Sequence, residues 1–130
     1  MEQLFRKNWN KLRALGIDWR GINTIKFNGY ESFSHRVIKF ILCHLIYQMG
    51  HNFKTEQPIK KAVCDVIDLD TFVVYEIECN PTPLAIKRKM KDYSNPLIQD
   101  LIILDLRKMN IEWEPIFRLR DEIKKYSGIW

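Results

Sequence analysis

The segment that decides the fold is Ala62–Glu78, which reads Ala-Val-Cys-Asp-Val-Ile-Asp-Leu-Asp-Thr-Phe-Val-Val-Tyr-Glu-Ile-Glu. Residues 62–69 and 72–79 are rich in Val, Ile, Phe and Tyr, and the dipeptide Asp70-Thr71 separates them. Two runs of this kind joined by a short polar connection predict two antiparallel strands and a tight turn.

This hairpin brings three carboxylates together. If the chain folds about Asp70-Thr71, Asp65 lies opposite Glu76, and residues paired across a ladder point to the same face. Glu78 shares that face because side chains alternate along a strand. Carboxylates this close repel one another in a partly buried setting unless a cation neutralises them. Oxygen ligands of this kind predict a Mg²⁺ or Mn²⁺ site.

The other acids of the hairpin have an ordinary explanation. Acids at strand ends are usually solvated turn residues, and we assign Asp68 and Asp70 to that class. Glu76 and Glu78 differ, because apolar residues surround them in a strand where isolated charge is costly. Spacing alone leaves both a metal site and a set of solvated acids open.

The elements around the hairpin follow from periodicity, capping residues and helix breakers. They are helices over residues 2–15 and 31–49, a helix from Thr82-Pro83 to Asn95-Pro96, strands over residues 52–58 and 101–106, and a helix from Glu114-Pro115 onward. The order α, α, β, β, β, α, β, α predicts an α/β fold, with a mixed central sheet flanked by helices in one domain over residues 1–130.

The second predicted helix carries one polar line on an otherwise apolar surface. Glu31, His35 and Lys39 are spaced by four residues, so they lie on one side of the helix. That line must face water or a site. We assign His35 to a solvated helix position rather than to a neighbour of Glu31.

Composition limits the classes of partner and compartment. The net charge of +5 and the pI near 9.2 fit a polyanionic partner such as nucleic acid, although many basic domains have none. Cys43, Cys64 and Cys79 are odd in number and lack paired spacing, which favours a reduced, cytoplasmic setting. The longest apolar stretch, Val37 to Tyr47, is too short to span a bilayer, so no membrane association is expected.

The segment Ala62–Glu78 resembles the core of the PD-(D/E)xK nuclease superfamily, which has the restriction-endonuclease-like fold. That superfamily places an acid on one strand and an acid-x-Lys motif on its hairpin neighbour. The similarity extends over most of residues 31–106, because the family core also runs helix, three-stranded meander, helix, strand. Residues 1–30, a helix and a connection, and residues 107–130, a C-terminal helix, would be additions to that core.

The resemblance implies a metal-dependent nuclease that hydrolyses phosphodiester bonds in DNA, with Mg²⁺ or Mn²⁺ as cofactor. Asp65 and Glu76 would be the main metal ligands, and the carbonyl of Ile77 would assist them. Family members often add an acid from the first core helix, and Glu31 occupies the matching place. Glu78 would orient the attacking water.

Two positions depart from the family pattern. Cys64 stands where the family name has Pro, and Glu78 stands where the family usually has a Lys that positions or activates the attacking water. Some members resemble this chain in carrying Glu-x-Glu, and others recruit a Lys from the next helix. Lys89 is the candidate for that role here, with Lys87 as the second choice.

The helix that follows the hairpin also resembles a family motif. Lys89 and Tyr93 match a Gln/Lys-xxx-Tyr pattern found in the branch that includes RecB-type nucleases, and their spacing puts both on one face. The residues expected to contact nucleic acid are Lys87, Arg88, Lys89, Lys91 and Tyr93. An amphipathic helix with Tyr93 in the core and solvated lysines is an equally open interpretation.

Two other functions remain open at this point. A domain of this fold that lost the Lys could bind DNA or assemble with a partner without cleaving. An acid-lined structural domain would have no nucleic-acid role. Homodimers are frequent in this fold class, and by that analogy Trp113 or Trp130 would serve an interface.

Overall fold

The computed structural model describes residues 2–129, with the side chains of residues 7–129. Its elements follow the predicted order and lie within a few residues of the predicted bounds. They are α1 (Glu2–Ala14), α2 (Phe33–Gln48), β1 (Phe53–Ile59), β2 (Ala62–Asp68), β3 (Val73–Glu78), α3 (Pro83–Asp92), β4 (Asp100–Asp105) and α4 (Trp113–Ser127).

Capping residues set the helix boundaries nearest to the acids. Helix α2 begins at Phe33 rather than at residue 31, because Ser32 is its N-cap and accepts a hydrogen bond from the N–H of His35. Thr82 caps α3 in the same way through the N–H of Ala85, and Pro83 follows it. Glu31 therefore lies just before α2 and not inside it.

The four strands form one mixed sheet in the order β1-β2-β3-β4. The pairs β1/β2 and β2/β3 are antiparallel, whereas β3 and β4 are parallel, since α3 carries the chain back across the sheet between them. The chain is thus an α/β domain with a mixed sheet and flanking helices, as predicted. In the β2/β3 pair, Val66 lies opposite Tyr75 and Ile67 opposite Val74, which is the predicted register.

The β1/β2 pair is distorted beside Asp65. Thr55 pairs with Val66 and Gln57 with Cys64, but Glu56 between them has a left-handed backbone with φ of 49°. Simple alternation would place Cys64 and Ile67 on opposite faces, yet both pack in the same buried cluster. The distortion therefore shifts the alternation of side chains between the two faces of the sheet, and Asp65 lies at the point where this shift occurs.

Each face of the sheet has its own core cluster. On one face, Leu12 of α1 and Tyr93 after α3 pack against Ile67 and Val74 of the sheet. On the other face, Cys43 and Ile46 of α2 pack against Phe53 and Val66. The sheet is consequently sandwiched between α2 on one side and α1 with α3 on the other, and the acids of β2 and β3 lie between these helices.

The assignment of Asp68 to a solvated turn is wrong. Asp68 is only 1% exposed, and its carboxylate accepts hydrogen bonds from the N–H groups of Asp70 and Thr71. Its other oxygen lies 2.8 Å from His51 Nδ1. The carboxylate is buried because it accepts the backbone hydrogen bonds that stabilise the β2–β3 turn. Asp70 is exposed, as expected.

Of the two Trp residues suggested for an interface, the structure describes only Trp113. Trp113 is half-buried and packs with Ile38 and Leu106, so it belongs to the intramolecular packing of α4. Trp130 lies outside the described residues. Over residues 2–129, no helix has both the length and the apolar composition needed to cross a membrane.

Candidate functional site

Asp65 and Glu76 lie together where β2 and β3 run side by side. The N–H of Asp65 donates to Glu76 Oε2 at 3.1 Å, and the N–H of Ile77 donates to Asp65 Oδ2 at 2.7 Å. Each carboxylate therefore accepts from the backbone of the opposite strand, which holds both acids in place. The hairpin register predicted this proximity. The described contact of Ile77 is through its N–H, whereas sequence reasoning assigned its carbonyl to the metal.

Glu76 faces α3, where two side chains reach it. Tyr93 donates its hydroxyl hydrogen to Glu76 Oε1 at 2.8 Å, and Lys89 Nζ lies 3.4 Å from the same oxygen. Lys89 Nζ also lies 2.8 Å from Glu78 Oε1, so it joins the two acids that β3 presents on one face. The ammonium of Lys89 thus reaches from α3 to both acids, as expected for the candidate lysine of the next helix.

The nucleic-acid residues predicted on α3 divide into two groups. Lys87, Arg88 and Lys91 are exposed on its outer surface. Lys89 is half-buried and Tyr93 is only 4% exposed, and their described contacts are with the acids. Tyr93 therefore lies in the core beneath the site, as the amphipathic-helix alternative had it.

The polar line of α2 approaches Asp65 from the other side. His35 Nε2 lies 3.5 Å from Asp65 Oδ1 and 3.7 Å from Glu31 Oε2. Both Glu31 Oε2 and His35 Nε2 are buried, and neither has a hydrogen-bond partner in the described part of the chain. The assignment of His35 to a solvated position is wrong, and its spacing of four residues from Glu31 was the signal that could have identified it.

Lys39 completes this side of the site. Its side chain is fully buried, and its Nζ lies 2.7 Å from Glu31 Oε1, 2.7 Å from Glu56 Oε1 and 2.8 Å from the carbonyl oxygen of Lys26. One oxygen of Glu31 is therefore neutralised by Lys39, and the other remains directed toward His35. Sequence reasoning missed Glu56, because its contact with Lys39 accompanies the left-handed backbone of β1.

The paired acids have opposite pKa shifts. Burial, reinforced by the negative charge of Asp65, raises the pKa of Glu76 to about 7. Burial also acts to raise the pKa of Asp65, but the contact with His35 and the hydrogen bonds from the Glu76 carboxyl and the Ile77 N–H outweigh it. The pKa of Asp65 consequently lies below its usual value. Below pH 7 the two acids therefore carry one proton between them, and that proton resides on Glu76.

The bases beside the acids have raised pKa values. Burial acts to lower the pKa of His35, but the contact with Asp65 and the charge of Glu31 raise it above its usual value. Burial likewise acts against the charge of Lys89, and the carboxylates of Glu78 and Glu76 overcome it, so the pKa of Lys89 is raised.

The donor atoms near Asp65 suit a small divalent cation. Within residues 2–129, no three His, Cys, Asp or Glu side chains are already arranged around a metal position. Glu31 Oε2 and His35 Nε2 nevertheless have no hydrogen-bond partner in the described part of the chain and lie beside Asp65 and Glu76, so these four side chains could hold a metal once Glu76 and His35 have lost their protons. Carboxylate oxygens with one imidazole nitrogen suit Mn²⁺, and the oxygens alone suit Mg²⁺.

Further cations lie near the exposed side of α3. Lys60 and Lys61, in the turn between β1 and β2, line a cavity of about 200 Å³ together with Lys91 and Asp92. Both turn lysines are exposed. Sequence reasoning did not assign these two lysines, because the fold alone brings the turn beside α3.

Comparisons of this chain with protein-family models, curated proteins and solved structures found no match.

Proposed function

We propose that this chain is a metal-dependent deoxyribonuclease with a restriction-endonuclease-like core. The observation that carries the proposal is the pair Asp65 and Glu76, held against each other's strand with the pKa of Glu76 raised to about 7. Ionising both carboxyls at this distance costs energy because their charges repel, and the nearby Glu31 Oε2 adds to that negative charge. A divalent metal would relieve that repulsion.

Asp65 and Glu76 would hold the metal, and Glu31 and His35 would complete the protein ligands on the side of α2. The carbonyl of Ile77 remains a candidate ligand. When bound, Mg²⁺ or Mn²⁺ would polarise a phosphoryl oxygen and lower the pKa of a coordinated water. An imidazole among the ligands favours Mn²⁺ over Mg²⁺.

Lys89 and Glu78 would handle the attacking water. Their ion pair of 2.8 Å at the edge of the acid pair supplies both a proton acceptor and a positive charge next to Glu76. Lys89 would position or activate that water, the role that the family gives to its lysine, and its charge would also stabilise negative charge that develops on the phosphate. Tyr93, through its hydrogen bond to Glu76, would fix the orientation of that ligand.

DNA would approach over the exposed surface of α3. Lys87, Arg88 and Lys91 would contact the phosphate backbone, and the lysines of the β1–β2 turn would extend that path. Contacts of this kind hold DNA in register without reading its sequence. Binding should therefore weaken steeply as salt is raised.

The test is a cleavage assay on duplex, single-stranded, flap and four-way-junction DNA with Mg²⁺ and with Mn²⁺. Asp65→Asn and Glu76→Gln should each lower the cleavage rate by about 10²-fold or more, the scale expected when an electrostatic group of the site is lost. Asp70→Asn is the matched control, because Asp70 is an exposed acid of the same hairpin. Circular dichroism checks the fold of all three. Undiminished cleavage by both site variants would refute the proposal.

A second candidate is a DNA-binding module of the same fold without catalysis. The observation that favours it is the Lys89 ammonium, which lies 2.8 Å from Glu78 Oε1 and 3.4 Å from Glu76 Oε1 and offsets their negative charge. This candidate predicts salt-sensitive DNA binding without cleavage under any metal condition. It also predicts that Lys89→Met leaves the affinity for DNA within about twofold of the wild type, since exposed lysines would carry the phosphate contacts.

A further inference from the structure

An open cavity lies between α2 and the connection that precedes this helix. Its volume is about 300 Å³, at the lower end of the range for small-molecule sites. The side chains that line it include Phe40, His44 and Tyr47 of α2, Asn23 and Ile25 of the connection, and Phe53 of β1. Phe40 and Tyr47 are 55% and 61% exposed. The cavity therefore offers aromatic rings that the rest of the domain does not cover.

The connection runs along α2 in the opposite direction. Arg36 Nη2 donates to the carbonyl oxygen of Asn28 at 3.3 Å, and Lys39 Nζ donates to the carbonyl oxygen of Lys26 at 2.8 Å. Ile25 then lines the cavity, further along the helix. The connection and α2 are thus the two walls of one groove, and the cavity is the far end of that groove.

This groove, which we call the α2 groove, is formed by residues 23–28 and residues 36–47, and it begins at the acid site. Arg36 directly follows His35, whose Nε2 lies 3.5 Å from Asp65 Oδ1. From its first to its last residue, the helical wall rises about 16 Å. A nucleic-acid strand with about 3.4 Å per nucleotide would place about five nucleotides along it.

Aromatic rings are exposed along the α2 groove. Phe27, Phe40 and Tyr47 are each more than half exposed. The ring of Phe27 lies 5.8 Å from the Arg36 guanidinium, and the rings of Phe40 and His44 are stacked, with their planes 10° apart. Exposed rings in a row bind unpaired bases by stacking, and replacing one such ring by Ala lowers the affinity about 5- to 150-fold.

The charges along the α2 groove suit a polyanion. Between residues 19 and 55 the only acid is Glu31, which is paired with the buried Lys39. Lys26 is exposed and Arg36 is half-buried, so both can contact phosphate oxygens. An apolar peptide would leave these two charges unpaired, whereas a nucleic-acid strand supplies phosphates for the cations and bases for the rings.

We infer that the α2 groove binds a single-stranded segment of DNA, with its phosphates toward Lys26 and Arg36 and its bases against Phe27, Phe40 and Tyr47. The inference rests on the proposed function, and it adds a binding surface on the α2 side of the acids. Bases in a duplex are stacked on one another, so these rings can reach only unpaired nucleotides. A nucleobase is smaller than the drug-sized ligands that cavities of this volume hold, so the cavity can take one base. The preferred substrate should therefore carry a single-stranded segment beside the cleaved bond.

Fluorescence anisotropy on the full chain tests the groove, with a labelled oligothymidylate of about 12 nucleotides and a duplex of the same length at about 50 mM salt. A chelator is present, so binding is measured without cleavage. Phe40→Ala combined with Tyr47→Ala should lower the affinity for the single strand at least 10-fold, and the affinity for the duplex less than about twofold. Ile41→Ala combined with Leu45→Ala is the matched control, because these residues are exposed on another side of α2 and should leave both affinities unchanged.

Two further variants separate stacking from other roles of the rings. Phe40→Tyr combined with Tyr47→Phe keeps both rings and should keep the affinity for the single strand within about twofold of the wild type. Phe27→Ala changes an exposed residue of the other wall and should lower that affinity about fivefold or more. This variant tests the groove even if the double Ala variant fails to fold.

The outcomes separate the groove from the nuclease activity. Loss of single-strand affinity in the Ala variants would support the groove even in a chain that cleaves no DNA, a result that would refute only the nuclease. Equal wild-type affinities for single strand and duplex would overturn the inference, and so would Ala variants that bind the single strand as tightly as the wild type. A self-associated wild type that the double Ala variant converts to a monomer would overturn it too, since the rings would then contact a second copy of the chain.

Discussion

Replacing Glu76 with Gln gives a direct test of the acid pair. Glu76 is 3% exposed, and its carboxyl lies against Asp65, Lys89 and Tyr93. Gln keeps an oxygen that can accept the hydrogen bond from Tyr93, but it cannot carry the charge that Asp65 repels. Its amide nitrogen replaces Oε2, which accepts from the Asp65 N–H, so the change of stability with pH, rather than the stability at one pH, isolates the cost of ionising Glu76.

The expected magnitude follows from the raised pKa. Glu76 has a pKa of about 7 in the folded protein and of 4.5 when unperturbed. Between these values the folded protein binds a proton that the unfolded chain has released, so raising the pH favours unfolding. Each unit of pKa is worth about 1.4 kcal/mol, and the metal-free protein should lose about 2–3 kcal/mol of unfolding free energy between pH 5 and pH 8.

Two neighbouring groups contribute differently in this window. The lowered pKa of Asp65 gives stability that is lost only as the pH falls through that lowered value, below the range of the experiment. The raised pKa of His35 gives stability that is lost as the pH rises from the usual pKa of histidine through the raised pKa. This loss occurs in the wild type and in the variant alike. The difference between wild type and Glu76→Gln therefore reports on Glu76.

The assay is urea unfolding at pH 5 and at pH 8 with a chelator present. Glu76→Gln should lose about 2–3 kcal/mol less than the wild type between these pH values. Asp70→Asn, an exposed acid of the same hairpin, should keep the wild-type dependence. Parallel stability profiles for wild type and Glu76→Gln would refute the assignment of a raised pKa to this residue.

Three more predictions concern the groups around the acids. Lys39→Met should cost about 3–5 kcal/mol of unfolding free energy, because Glu31 and Glu56 lose their buried partner; a loss below 1 kcal/mol in urea unfolding would contradict this role. Tyr93→Phe should raise the pKa of Glu76 further and cost about 1–2 kcal/mol, measured by carboxyl NMR titration and unfolding. Mn²⁺ affinity should rise with pH by about tenfold per unit or more up to pH 7, because the metal displaces the proton of Glu76 and also that of His35; calorimetry showing a flat profile would argue against the site.

Much of the fold was predictable because its signals are local. The Val- and Ile-rich runs on either side of Asp70-Thr71 indicated two strands and their register, and the structure has Val66 opposite Tyr75 as predicted. Thr82-Pro83 indicated the start of α3. Alternation and capping depend on neighbours in the chain, so a single sequence is enough to reveal them.

The candidate site was predictable only in the part that the hairpin determines. The proximity of Asp65 and Glu76 follows from register alone, and the contact of Lys89 with both glutamates follows from a helix that returns across the same face. The position of His35 did not follow, because helical spacing shows which residues share a side but not which side the sheet covers.

The sequence by itself determined the order of the elements, the register of the central hairpin and the acids it brings together. Only the tertiary structure decided that Lys39 is buried between Glu31 and Glu56, and that Asp68 closes its turn from inside. Burial depends on contacts between segments that are distant in the chain, and the left-handed residue at Glu56 is tolerated because those contacts hold it. The local periodicity of a sequence does not reveal such contacts.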